Sequence, residues 1–305
     1  MFPLLVRIVS FILSPIIPFD FSRFIFSGVI INIISSLIGS ISLYEISKIF
    51  SNKNTSLQTV YFFLIFPTSF FLLQFYTEGL FIGLTFLSIL LIYKEKYYLS
   101  IPFISLAILT RPNGIALLIF LISEYLYKKY RNNRSFYKNF RKAEIINFFE
   151  IIIIPVAIFM IINFSNFGKN FHYVESQLFS RNILNLSILA KTFTGTISSI
   201  LSGNLHATVF FILETSGISL SIVSIILFFK KSPSLSLFCS FSLIMGLTSG
   251  PFQSNIRYIL SLPIIYLFLS DVSTKHVLFE KIWSIVSILL LGFLLTLFSF
   301  NFWVG

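Results

Sequence analysis

Residues 24–47 read FIFSGVIINIISSLIGSISLYEIS, a stretch in which Glu45 is the one charged side chain. A helix of about 24 residues rises about 36 Å, which is enough to cross the ~30 Å hydrocarbon core of a bilayer. Other apolar runs lie at 57–74, 79–93, 97–110, 114–127, 145–163, 207–229, 234–250, 257–270 and 282–303. The pattern predicts an all-α protein, a polytopic transmembrane helix bundle with about 9–10 spanning or half-spanning helices.

The composition of the chain excludes an ordinary soluble enzyme. Of 305 residues, 56% are hydrophobic and 11% are charged, and the mean hydropathy is +0.92, whereas soluble proteins carry about 25% charged residues. No long linker divides the chain, so we interpret residues 1–305 as a single integral membrane domain. The one cysteine, Cys239, excludes an intramolecular disulfide and a cysteine metal cluster.

Two segments differ from the predicted spans. Residues 2–18 are apolar but contain Arg7 and several prolines, and we interpret them as an interfacial helix. Residues 164–206 form the longest stretch without a span, and we expect a non-cytoplasmic loop region there. The runs 97–110 and 114–127 would each rise only about 21 Å as helices, so we expect a hairpin that stops short of the far face.

The basic residues indicate how the bundle is oriented. Most of the 22 Lys and Arg residues fall in one alternating set of loops, near 48–53, 94–96, 128–142, 230–231 and 275–281. By the positive-inside rule these loops are cytoplasmic, and the net charge of +11 reflects topology rather than nucleic-acid binding. We expect the chain in the plasma membrane of a prokaryote or in the endoplasmic reticulum membrane of a eukaryote.

The opposite face carries most of the unusual polar residues. One turn between spans holds Tyr76 and Glu78, and the next turn reads TRPNG from residue 110. Pro112 lacks a backbone donor and disfavours helix at the preceding Arg111, so we expect the helix to break there. A broken helix at membrane depth persists only where protein or water satisfies its backbone, which points to a polar cavity.

Four side chains on this face are candidate substrate-binding residues: Tyr76, Arg111, Asn113 and Arg257. A guanidinium group matches the oxygens of a phosphate and can donate two charge-assisted hydrogen bonds to it. The competing interpretation of each arginine is a side chain that reaches to lipid head groups from the end of a span.

Glu78 and Glu214 are the candidate catalytic contributors, although neither is a convincing general base. Glu78 begins a span, where a helix-capping role competes. Glu214 lies about 10 Å inside a span, where an ionised carboxylate must be paired or reach water. His172 and His206 have no helical i, i+4 partner, so we predict neither a metal site nor a cofactor, and the catalytic residue stays unknown.

Three short strings occur in order along the chain: FYTEGL at 75–80, LTRPNG at 109–114 and NIRYIL at 255–260. Together with FPLLVR at 2–7, they resemble the GPI mannosyltransferase II family over most of the chain. The resemblance implies a GT-C fold, a helix bundle that takes mannose from a polyprenyl-phosphate donor such as dolichyl-phosphate mannose. It also implies transfer to a lipid-linked or GPI-like acceptor on the non-cytoplasmic face, without a nucleotide sugar.

The resemblance implies a catalytic loop that this sequence does not contain. Members of the family carry a Trp-Asp motif, whose Asp is the expected base, before the segment that resembles residues 2–7. The two aspartates here, Asp20 and Asp271, stand in no such motif. We therefore expect either that the chain lacks an N-terminal segment, which we favour, or that it is an inactive or partner-completed relative.

Two other functional classes stay open. A transporter or lipid flippase would line a polar path across the whole membrane, and a non-catalytic membrane subunit would act with a protein partner. Because the candidate residues gather on one face, the sequence favours the glycosyltransferase. Its expected partners are membrane lipids, a polyprenyl-phosphate sugar donor and a glycolipid or glycan acceptor.

Overall fold

The computed structural model describes residues 1–132, 142–178, 186–248, 255–302 and 304. These residues form α-helices and short turns, without a β-strand among them. The α-helices are α1 (Phe2–Leu13), α2 (Asp20–Phe50), α3 (Lys53–Leu64), α4 (Glu78–Tyr93), α5 (Tyr97–Thr110), α6 (Ala116–Asn132), α7 (Lys142–Phe164), α8 (Asn166–Leu178), α9 (Leu186–Leu201), α10 (Leu205–Phe228), α11 (Pro233–Thr248), α12 (Asn255–Ile259), α13 (Pro263–Lys275) and α14 (Val277–Ser299). The all-α helix bundle predicted from the sequence is confirmed.

Three of the described helices are long and apolar enough to cross a membrane. They are α2, with 31 residues, the stretch Ala207–Phe228 of α10, with 22, and α14, with 23. Large apolar side chains on α14, such as Ile285 and Leu289, are exposed on the protein surface, as expected for side chains that face lipid.

Helices α2 and α4 pack backbone against backbone. A Cβ atom on Gly83 of α4 would lie 2.4 Å from the carbonyl oxygen of Ser35 on α2, and one on Gly39 would lie 3.4 Å from the Cα of Gly83. Small residues permit this close approach between membrane helices. The contact brings the buried Asn32 of α2 beside the start of α4.

Two predicted spans are interrupted in the structure. The prediction of one continuous helix over 57–74 is wrong, because α3 ends at Leu64 and only a short 3₁₀ turn follows. Pro67 lies in the gap, where its missing N–H and its ring prevent the helix from continuing. The span predicted over 257–270 is likewise divided into α12 and α13, and Pro263 is the first residue of α13.

The two segments that differ from spans are helical. In the segment predicted as an interfacial helix, α1 ends at Leu13, so the helix is shorter than residues 2–18. Its Val6 is buried and belongs to a small apolar cluster with α2, while Phe11 is exposed. Within residues 164–206, where we expect a non-cytoplasmic loop region, the structure has the helices α8 and α9, and the side of the membrane on which they lie stays a prediction.

The lysine-rich turns meet at one end of the bundle. There the carboxylate of Glu45 lies 3.0 Å from the Nζ atom of Lys48 and 3.7 Å from that of Lys94. Lys128 pairs with Glu95 at 3.2 Å. We call this region the lysine end; its assignment to the cytoplasm stays a prediction. Helix α4 runs from the opposite end to the lysine end, over about 24 Å.

Candidate functional site

Glu78, the first residue of α4, forms ion pairs with two arginines that are distant in sequence. Its side chain is 1% exposed, and its Oε1 atom accepts a hydrogen bond from Nη2 of Arg111. The Nε atom of Arg257 lies 2.9 Å from the same oxygen. We call these three residues the arginine cluster. It unites the start of α4, the turn after α5 and the short helix α12 at the end opposite the lysine end.

The break in the helix places Arg111 in the cluster. Helix α5 ends at Thr110, and Arg111 has extended backbone angles, φ −148° and ψ 141°, before Pro112 starts a 3₁₀ turn. This geometry is the one that a residue preceding proline favours, so the predicted break is confirmed. The Nε atom of Arg111 donates to the Oγ1 atom of Thr77 at 2.8 Å, which fixes the side chain beside Glu78.

Gly114 lets the turn fold back tightly on α5. A Cβ atom at this position would lie 2.6 Å from the backbone carbonyl carbon of Ala107, a distance that real side chains do not adopt. A larger residue would therefore push the 3₁₀ turn away from α5 and displace Arg111. Asn113, in the same turn, is half-buried, and its side chain has no contact with the cluster among the hydrogen bonds of the described residues.

Aromatic rings enclose the two guanidinium groups. The guanidinium carbon of Arg257 lies 5.3 Å from the ring centre of Phe71 and 5.4 Å from that of Tyr76. Tyr258 contacts both arginines, at 5.5 Å from Arg257 and 5.3 Å from Arg111. Cation–π contacts of this kind stabilise a desolvated positive charge without neutralising it.

The arginine cluster is largely buried. The side chains of Arg111 and Arg257 are 14% and 10% exposed, and both guanidinium groups face the carboxylate of Glu78. Guanidinium groups in such a place can donate charge-assisted hydrogen bonds to an anion that binds beside them. Tyr76, at 38% exposure, leaves the cluster accessible from the surface. The other carboxylate oxygen of Glu78, Oε2, is buried and has no hydrogen-bond partner among the described residues.

Glu214 positions the helix that carries Arg257. It is buried on α10, and its Oε2 atom accepts a hydrogen bond from the backbone N–H of Ile256 at 2.9 Å. A carboxylate at this place caps the first turn of α12 and interacts favourably with the helix dipole. Thr68 donates to the carbonyl of the same Ile256 at 3.2 Å and holds α12 from the other side.

Asn32 positions the turn that carries Tyr76 and Glu78, and the sequence analysis missed it. Its Nδ2 atom donates to the carbonyl oxygens of Gln74 and of Tyr76, the latter at 2.7 Å, and its Oδ1 atom accepts from the backbone N–H of Leu80 at 3.1 Å. The signal in the sequence was a lone amide within the apolar run 24–47, where an unpaired polar side chain would be costly.

A small cleft adjoins the arginine cluster. It has a volume of about 10 Å³, lies between α11 and α12, and is lined by Ser242, Gly246, Asn255 and Tyr258 together with apolar side chains. Because Tyr258 also contacts both guanidinium groups, the cleft and the cluster share a wall. The cleft therefore places polar groups directly beside the two arginines.

The structure thus brings together four residues that the sequence singled out, Tyr76, Glu78, Arg111 and Arg257. The side chains of His172 and His206 lie outside the described residues. Among the described side chains, no group of three or more His, Cys, Asp or Glu residues is placed to hold a metal ion. The carboxylate of Glu78 contacts guanidinium groups instead, so the chemistry of the cluster suits an anionic ligand.

The fold and the site are those of an all-α protein with membrane-length helices and a buried pair of arginines at one end. Over 80 residues, or 26% of this chain, the sequence is 40% identical to GPI mannosyltransferase 2 of Schizosaccharomyces pombe. The matched stretch covers 17% of that protein. No protein-family model matches the sequence, and no solved structure matches it significantly.

Proposed function

We propose that this protein is a membrane glycosyltransferase that takes mannose, or another hexose, from a polyprenyl-phosphate donor. The acceptor is a lipid-linked or GPI-like glycan on the non-cytoplasmic face. The observation that carries the proposal is the arginine cluster, in which Arg111 and Arg257 share the one carboxylate of Glu78. The partial similarity to a GPI mannosyltransferase supports the same class of reaction.

Arg111 and Arg257 suit the phosphate of such a donor. When the bond between the sugar and the phosphate breaks, negative charge grows on the departing lipid phosphate. Fixed guanidinium groups stabilise this charge, and burial makes their effect stronger than it would be in water. Each charge-assisted hydrogen bond contributes about 1.5–3 kcal/mol.

The acceptor hydroxyl needs a base, and the described carboxylates do not supply an obvious one. Asp20 pairs with Arg23, and Asp271 pairs with Lys231 at 2.8 Å, so both are engaged away from the cluster. Glu214 caps α12. In our proposal, Glu78 positions ligand groups through its buried Oε2 atom, and the base stays unassigned.

Donor binding tests the proposal on the chain as it stands. The purified protein in lipid nanodiscs should bind fluorescent polyprenyl-phosphate mannose saturably, and unlabelled donor should compete while GDP-mannose should not. A transporter of free sugars would instead be competed by mannose. If the donor does not bind, or if GDP-mannose displaces it, the proposed function is wrong.

A further inference from the structure

We propose that Glu78 sets the charge selectivity of the anion site, because its carboxylate lowers the affinity for a doubly charged phosphomonoester more than the affinity for a singly charged phosphodiester. This inference rests on the proposed function. The intact polyprenyl-phosphate sugar is a phosphodiester, and the polyprenyl phosphate that remains after transfer is a phosphomonoester. Glu78 would then shift the binding balance from the product toward the substrate.

Glu78 lies between the two arginines of the cluster. Its Oε1 atom contacts both guanidinium groups, and its side chain is 1% exposed. A phosphate that approaches these guanidinium groups must therefore come close to a fixed carboxylate. Because the surroundings are buried, water screens the repulsion between the two anions only weakly.

The two lipid phosphates differ in charge. A phosphodiester carries one negative charge, whereas a phosphomonoester carries about −1.5 to −2 at pH 7, because its second pKa is near 6. Both ligands are attracted to the arginines, but the repulsion from the carboxylate grows in proportion to the ligand's charge. The carboxylate therefore removes more of the attraction from the monoester than from the diester.

The carboxylate of Glu78 would favour release of the product after transfer. If the charge of Glu78 were absent, the two buried arginines would hold a dianionic lipid phosphate more tightly relative to the monoanionic donor, and the product would occupy the site for longer. Glu78 lowers the positive charge of the cluster by one and so opposes this trapping. A group that merely joined α4 to the two arginines would affect both ligands alike.

The substitution Glu78→Gln tests this selectivity because it removes the charge and keeps the shape. The probes are polyprenyl-phosphate mannose and polyprenyl phosphate of the same chain length, bound to the protein in nanodiscs of neutral lipid at pH 7.5. We expect the ratio of the diester affinity to the monoester affinity to fall at least about tenfold in Glu78→Gln. Glu45→Gln, which removes a carboxylate from a pair of lysines at the lysine end, should leave this ratio unchanged.

A second measurement repeats the comparison at pH 5.5 and separates an effect of charge from an effect of shape. Lowering the pH from 7.5 to 5.5 converts the monoester largely to a monoanion, while the diester keeps its single charge. We expect Glu78→Gln to change the ratio of the two affinities much less at pH 5.5 than at pH 7.5, because the carboxylate then repels both lipids nearly alike. A ratio that Glu78→Gln leaves intact at pH 7.5, or changes as much at pH 5.5, would overturn the inference while the proposed function stands. If neither lipid binds the unmodified protein, the proposed function itself fails.

Discussion

Glu78 and Glu45 stand at opposite ends of the bundle, and each carboxylate lies beside two cations. Glu45 is 31% exposed and faces Lys48 and Lys94, which are themselves about half exposed. Glu78 is 1% exposed and faces two largely buried arginines. The number of charged residues is the same in these two groups, so it does not identify a binding site. Burial and the planar geometry of arginine distinguish the arginine cluster from a solvated ion pair.

Labelling of single cysteines tests whether the two ends lie on opposite sides of the membrane. Cys239 is buried and would be replaced by alanine, and one cysteine would then be placed at Phe75 or at Lys94, both exposed positions. We expect a membrane-impermeant maleimide outside intact cells to label position 75 and to spare position 94. Labelling of both positions from the same side would remove the basis of the comparison.

Arg111→Ala tests the arginine cluster by removing one of its two guanidinium groups. We expect the affinity for polyprenyl-phosphate mannose to fall at least about tenfold, because charge-assisted hydrogen bonds to the phosphate are lost. Arg111→Lys should restore it only in part, since lysine offers a point charge instead of a fork. The matched control is Lys94→Ala, which should bind the donor like the unmodified protein. Equal binding by Arg111→Ala would show that Arg111 is only an interfacial anchor.

The sequence predicted the members of the cluster but not how they are held. Pro112 predicted the helix break at Arg111, because proline restricts the backbone of the residue directly before it. The ion pair of Glu78 with Arg257 depends on the tertiary arrangement that brings α12 close to the start of α4. No sequence pattern within either helix specifies this arrangement. Glu214 was a candidate catalytic contributor, yet its described contact is the backbone N–H of Ile256.

Asn32 and Pro67 show why other features escaped prediction. In the run 24–47 most side chains are apolar, and they determine the prediction of a span. The hydrogen bonds of Asn32 are made with the turn before α4 and the start of α4, so the sequence of α2 alone does not reveal them. The run 57–74 is mostly apolar, so hydropathy alone indicated one span, although Pro67 cannot continue a helix.

Asn32→Ala tests whether the turn before α4 is positioned from α2. The change removes three hydrogen bonds to the backbone of residues 74, 76 and 80. We expect a loss of about 1–3 kcal/mol in stability, seen as a lower melting temperature in detergent, and weaker donor binding. Ser40→Ala, which removes a hydrogen bond within α2 alone, is the control. Unchanged donor binding in a destabilised Asn32→Ala protein would limit Asn32 to a role in packing.

Glu45→Gln should have the smallest effect of these substitutions on stability and on donor binding. The ion pairs at the lysine end are exposed, and such pairs contribute less than about 1 kcal/mol. We expect nearly unchanged thermal stability and unchanged donor binding, measured beside Glu78→Gln under the same conditions. A large loss of donor affinity in Glu45→Gln would mean that the lysine end, too, takes part in binding.

Photo-crosslinking tests most directly whether the arginine cluster holds the lipid phosphate. A polyprenyl-phosphate mannose analogue with a diazirine next to the phosphate would be bound to the protein in nanodiscs and irradiated, and the labelled peptides identified by mass spectrometry. The account predicts labels within residues 71–81, 110–114 or 255–258, which excess unlabelled donor should abolish. Labels at the lysine end, near residues 45–48 or 94–96, or labels that unlabelled donor does not reduce, would contradict it.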